Sequence, residues 1–135
     1  MFDELGGMPC LERVHRVFYG KLLRHPWLKG FFTGNRRDDL ETQQTDFMAR
    51  LFGGPKIYSG RMPKSAHTHM FITEEIFLAR HGILKESLIE SGIRPDLMER
   101  WLDYDMGMKR ALVKNSPSEC FGRWKSEPII AVDKP

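Results

Sequence analysis

Apolar residues recur three and four positions apart from Leu11 to Arg24, at Leu11, Val14, Phe18 and Leu22, with Val17 widening the stripe. That spacing places them on one face of a helix. The helix is predicted to stop before His25-Pro26, because a residue that precedes proline is disfavoured in helical geometry. Trp27, Leu28, Phe31 and Phe32 make a dense apolar corner closed by Gly34-Asn35. A second helical window runs from about Arg37 to Leu51, with Leu40, Gln44, Phe47 and Leu51 on one face, and ends at Gly53-Gly54-Pro55. Lys56 to Pro63 reads as a loop, and Ser65 to Met70 as a short helix around His67. Thr73 has the chemistry of an N-cap, with Glu74 and Glu75 in the first turn of the helix that follows. That helix carries Ile76, Phe77, Ile83, Leu84 and Leu88 and ends near Ser91-Gly92. Pro95 suits the first turn of a last helix bearing Leu97, Trp101, Tyr104, Met108 and Leu112.

Outside these elements the pattern is thin. The first ten residues show only a turn at Gly6-Gly7. Residues 116–135 hold three prolines and no helical stripe, which predicts a loosely packed extension to a domain spanning 1–115, with Phe121, Trp124, Ile129 and Ile130 able to dock. Ile129 to Val132 has the composition of one strand, and one strand makes no sheet. The fold class expected is all-α.

A chain of 135 residues is one domain's worth. With 41% hydrophobic and 29% charged residues it has the balance of a folded globule rather than a disordered chain. No apolar run approaches the roughly 20 residues of a membrane-spanning helix. Asp3 and Glu4 with no apolar stretch after them predict no secretory leader, hence a cytoplasmic protein with no membrane partner. Cys10 and Cys120 lie outside any CxxC motif and read as two unpaired thiols. The net charge is only +3, and Arg36-Arg37 is followed at once by Asp38-Asp39, a mixed pattern that argues against a nucleic-acid partner.

Familiar catalytic signatures are missing: there is no HExxH, GxSxG, GxGxxG or P-loop. His67 and His69 are the only close histidine pair, and in a helix they would point to different sides. Gln44 resists a bland reading, because it shares an apolar face with Leu40 and Phe47, where a buried amide needs a partner. Tyr19 beside Phe18 poses the same question. On residues alone these point to a buried polar pocket between helices, while His67 reads more readily as a surface histidine on a short helix than as a ligand.

The ordered set Phe18-Tyr19, Pro26-Trp27-Leu28-Lys29-Gly30-Phe31-Phe32, Leu40 to Gln44, Gly53 to Gly60, Met62 to His67 and Ile72-Thr73 resembles the truncated (2-on-2) haemoglobin family, most of all its group I branch. The match runs from about Gly6 to Leu112. The resemblance implies a 2-on-2 helical sandwich around one non-covalent haem b, with His67 as the axial ligand of the iron. It places Tyr19 and Gln44 on the distal side as donors to a bound diatomic ligand and Leu40 as the apolar residue above the haem. Gln43 takes a site where some relatives carry an iron-binding histidine. Phe32 is implied to pack on the haem plane, with Phe47 and Phe77 also against it; Phe47 and Met48 match the path taken by gases. Lys64 is implied to reach a haem carboxylate, with Tyr58 and His69 as further candidates at that edge. No histidine follows His81, so the covalent haem link of some relatives has no candidate here. The function implied is reversible binding of dioxygen, CO and NO for transport or sensing, by a monomer or weak dimer. The alternative is nitric oxide dioxygenase activity served by a cellular reductase.

Overall fold

The computed structural model describes all 135 residues as helices, turns and extended connections. Seven α-helices follow one another: α1 (Phe2–Leu5), α2 (Met8–Leu22), α3 (Arg37–Leu51), α4 (Pro63–Ala66), α5 (Glu74–Glu90), α6 (Pro95–Met106) and α7 (Lys109–Leu112). Short 3-10 turns occupy Leu28–Phe32 and Pro117–Glu119. α2 packs against both α3 and α5, and α5 packs against α6, so two helix pairs face each other.

The predicted stripe of α2 is the buried one, with Leu11, Val14, Phe18 and Leu22 at most 2% exposed. The helix begins three residues earlier than its apolar pattern, because Pro9 fits its first turn. His15 joins the buried face, where the apolar stripe had no place for it: its Nδ1 bonds Thr45 Oγ1 at 2.7 Å and its ring meets Trp101 edge-on. α3 spans the predicted residues, but the side it presses on its neighbours is Thr45, Met48 and Ala49. The predicted face, Leu40, Gln44 and Phe47, is only half-buried, and Leu51 is exposed. α5 is apolar around much of its circumference, as a helix clasped from two sides must be. It starts where expected, with the Thr73 hydroxyl accepting from Ile76 N.

Three boundaries differ from expectation. α1 is a single turn whose Phe2 N–H donates to Phe52 O, and a Cβ on Gly54 would sit 2.6 Å from the Phe2 ring. The short helix falls at Pro63–Ala66 rather than 65–70, because Pro63 starts it, and His67 becomes its C-cap. The predicted last helix is two, since the backbone turns at Gly107 and Met108 before Lys109. Cys10 and Cys120 are buried free thiols.

Most side chains of the segment after residue 115 face solvent, Phe121 and Trp124 among them. Its backbone nevertheless does not hang free. Ile130 forms a parallel β-bridge with Met70, and Trp27 Nε1 donates to Val132 O at 3.1 Å. The extended run thus gives one bridge and no strand. No helix is long and apolar enough to cross a membrane.

Candidate functional site

The half-buried face of α3 borders a cavity of about 230 Å³, far more than one water needs. Phe18 and Tyr19 from α2, Phe32 from the corner, and Leu40, Gln43, Gln44 and Phe47 from α3 make one part of its wall. The rest comes from Ala66 to Ile72, from Phe77 and Arg80 of α5, from Met108 and Leu112, and from Arg123. Phe47 meets Tyr58 edge-on, and the Tyr58 hydroxyl donates to Arg61 O. A wider, open groove of about 630 Å³ lies beyond Phe47, Pro63 and Met108 and holds no histidine.

His67 is the one imidazole in the cavity whose two nitrogens are clearly differentiated. Nδ1 lies 2.7 Å from Pro63 O, and a carbonyl only accepts, so Nδ1 carries the proton. Nε2 is left with a lone pair and no hydrogen-bond partner in the chain. Burial pushes the ring's pKa down to about 4, against the opposing pull of the Pro63 bond, and the nearby charges of Arg80 and Lys114 push the same way as burial. A neutral imidazole with one fixed tautomer and one free lone pair is a metal ligand in waiting.

Tyr19 is buried, with its ring held edge-on by Phe18 at 5.3 Å and Phe32 at 5.9 Å. Burial raises its pKa to about 12, which keeps the hydroxyl a neutral donor. Neither that hydroxyl nor the half-buried Gln44 amide has a hydrogen-bond partner in the chain, and both line the cavity. Two unused donors and one unused lone pair share a space whose wall is mainly apolar, with Arg61, Arg80 and Arg123 also on it. The arrangement offers a bound ligand one imidazole lone pair and two neutral hydrogen-bond donors.

The comparisons agree with this geometry. The model of the bacterial-like globin family matches residues 1–113. The group 1 truncated hemoglobin GlbN of Mycolicibacterium paratuberculosis is 36% identical over 93 residues, covering 69% of this chain and 68% of that protein. The chain belongs to the group 1 truncated hemoglobin family. A second member, from Tetrahymena thermophila, is 27% identical over 91% of this chain and 95% of its own. The crystal structure of truncated hemoglobin from Tetrahymena pyriformis in its Fe(III) form superposes with a TM-score of 0.78 at 27% identity, over 84% of this chain and 97% of that one. The group II truncated hemoglobin from Bacillus anthracis reaches 0.77 at 20% identity, a likeness of fold. The all-α 2-on-2 sandwich is therefore the fold of this truncated hemoglobin.

Of the residues singled out from the sequence, Tyr19, Phe32, Leu40, Gln43, Gln44, Phe47, Tyr58, His67 and Phe77 all line the one cavity. Lys64 does not: it is exposed on α4, outside the wall, because the helix starts at Pro63 and turns that side chain outward. His69 corrects the expectation that it and His67 would diverge, since the helix ends before both and both rings border the cavity. Three guanidiniums, Arg61, Arg80 and Arg123, were missed. Arg80 makes a bidentate pair with buried Asp105, at 2.5 and 2.9 Å, and His81 Nδ1 bonds the same carboxylate at 2.7 Å. The partner lies 25 positions away, beyond the reach of local pattern.

Proposed function

We propose that this truncated hemoglobin holds one haem b non-covalently in the cavity, with His67 Nε2 as the iron's axial ligand, and binds dioxygen and other diatomic ligands reversibly. The observation that carries the reading is the free, neutral Nε2 of His67 in the same cavity as the unpartnered Tyr19 hydroxyl. Haem bound there supplies a ferrous iron with an open coordination position. Tyr19 O–H and the Gln44 amide N–H₂ donate to a ligand that draws negative charge, each bond worth about 1–2 kcal/mol. Leu40, Phe32, Phe47 and Phe77 keep water from the apolar faces. Gln43, exposed at the edge, leaves the distal side without an imidazole. Arg61 is the cavity-lining cation without a carboxylate partner, and it joins Lys64 as a candidate for a haem carboxylate, whereas Arg123 is already paired with Glu127.

Absorption spectra of the purified chain test this, with haemin added and the protein then ferric, dithionite-reduced and CO-bound. A Soret band that sharpens and moves on CO addition supports the reading; no Soret band after added haemin refutes it. The same donor pair favours a second use, conversion of nitric oxide to nitrate with electrons from an external reductase. Nitric oxide consumption by the reduced protein in aerated buffer, sustained only when the reductant is renewed, tests it.

A further inference from the structure

Residues 67–72 carry His67 but form neither helix nor strand. A stretch of irregular backbone is ordinarily the mobile part of a site. Here every residue of the stretch is held by the segment that follows α7. Lys114 Nζ donates to His67 O at 2.8 Å and to Met70 O at 2.7 Å, and Lys114 N donates to Ile72 O at 2.8 Å. Phe121 N donates to Thr68 O, and Ile130 N to His69 O, each at 2.8 Å. Phe71 N completes the set by donating to Ile130 O at 2.8 Å. Six consecutive residues thus make one bond each, five accepting and Phe71 donating, with residues that lie beyond the 1–113 span of the family model.

The far end of the segment is anchored on another wall. Trp27 Nε1 donates to Val132 O, and Val132 methyls lie where a Cβ on Gly30 would stand 2.9 Å away. Any side chain at position 30 would press on the Val132 methyls, so the glycine leaves room for Val132 to dock. That corner carries Phe32 to the cavity. Between the anchors, the Glu127 carboxylate accepts from Arg123 N and Nε, and holds Arg123 against the cavity.

We propose that residues 114–132 are a strap that sets the orientation of the His67 imidazole, with Lys114 as the positioning residue. The inference rests on His67 being the haem ligand. Pro63 O fixes the ring's tautomer from one side, and Lys114 fixes the backbone that bears the ring from the other. Groups that hold a metal ligand from outside the coordination sphere typically tune affinity 10–100-fold.

The test uses the full haem-loaded chain. Lys114→Met keeps side-chain length and removes the donor; Lys114→Arg restores a cation with several N–H groups. Phe121→Pro removes the N–H that Thr68 O accepts at little cost in packing, because the Phe121 side chain is exposed and Cys120 already has the extended backbone proline demands of its predecessor. Expected are haem transfer to an excess of an acceptor globin about tenfold faster in Lys114→Met and a displaced or broadened iron–histidine band in the resonance Raman spectrum of the ferrous form. Both return to wild type in Lys114→Arg. Phe121→Pro changes both in the same direction and carries the test should Lys114→Met fail to fold. Folded variants with wild-type haem transfer and a wild-type band overturn the strap. Failure of the haem reading is distinct, an unmodified chain that takes up no haem. Amide exchange at Phe71 in the haem-free variants then decides whether the strap exists: about tenfold faster supports it, as loss of about one hydrogen bond requires, and unchanged exchange overturns it.

Discussion

Replacing Tyr19 by Phe removes one oxygen and little else. The ring keeps its edge contacts with Phe18 and Phe32, and the hydroxyl has no partner in the chain to orphan. The haem-free protein should therefore melt within about 2 °C of wild type, since no cavity and no unsatisfied group is created. What is lost is a neutral O–H donor, kept protonated by a pKa of about 12. A hydrogen bond from it to a ligand that has drawn negative charge is worth about 1–2 kcal/mol. At 1.4 kcal/mol per factor of ten, dioxygen should leave the ferrous variant about 5- to 30-fold faster. CO draws less charge and should leave at a rate closer to wild type. Stopped-flow displacement of dioxygen by excess CO, with displacement of CO by NO as the control, measures both. An unchanged dioxygen rate, or an equal acceleration for the two ligands, removes Tyr19 from the proposed distal role.

His67→Ala should purify with haem content reduced by about tenfold or more, and added imidazole should restore part of it; a wild-type spectrum would dismiss His67 as ligand. Asp105→Leu leaves the Arg80 guanidinium, 23% exposed, without its carboxylate and should cost about 3 kcal/mol in urea denaturation. Arg80→Met added to it should recover most of that, and a double variant no better than the single one refutes the pairing. His15, held by burial to a pKa of about 3 against 6.5 when unfolded, is neutral in the fold, so the unfolded chain takes up a proton first. Its contribution to stability is present above pH 6.5 and fades as pH falls toward 3, with a slope approaching 1.4 kcal/mol per pH unit. The stability gap between wild type and His15→Gln should narrow from about pH 7 to about pH 5; a constant gap in urea midpoints contradicts it.

Much of this was legible in the chain. The Thr73 cap and the span of α3 follow from local chemistry, a hydroxyl before two carboxylates and a glycine pair before proline. The face of α3 was another matter. An apolar stripe shows that a side is withdrawn from water, not what covers it, and Leu40, Gln44 and Phe47 border a cavity while Thr45 and Met48 meet helices. Thr45 drew no notice in the sequence because its partner, His15, is 30 positions away. Lys64 lies exposed outside the cavity wall on a short helix that starts two residues before the pattern suggested, a boundary local sequence does not fix. The tail was opaque for a related reason: every one of its ties to residues 67–72 and Trp27 ends on a backbone carbonyl, which leaves no trace in side-chain pattern.

The strap also sets an order of events during synthesis. The chain emerges N-terminus first, so α2, α3 and His67 are outside before Lys114, Phe121 or Ile130 exist. Phe71 and Ile130 stand 59 positions apart, a delay of about 3–12 s at ordinary translation rates. A nascent chain in that interval bears His67 on a backbone that Lys114, Phe121 and Ile130 do not yet tether. On the proposed haem reading, cofactor taken up then would meet an imidazole whose seating is completed only when the downstream residues arrive.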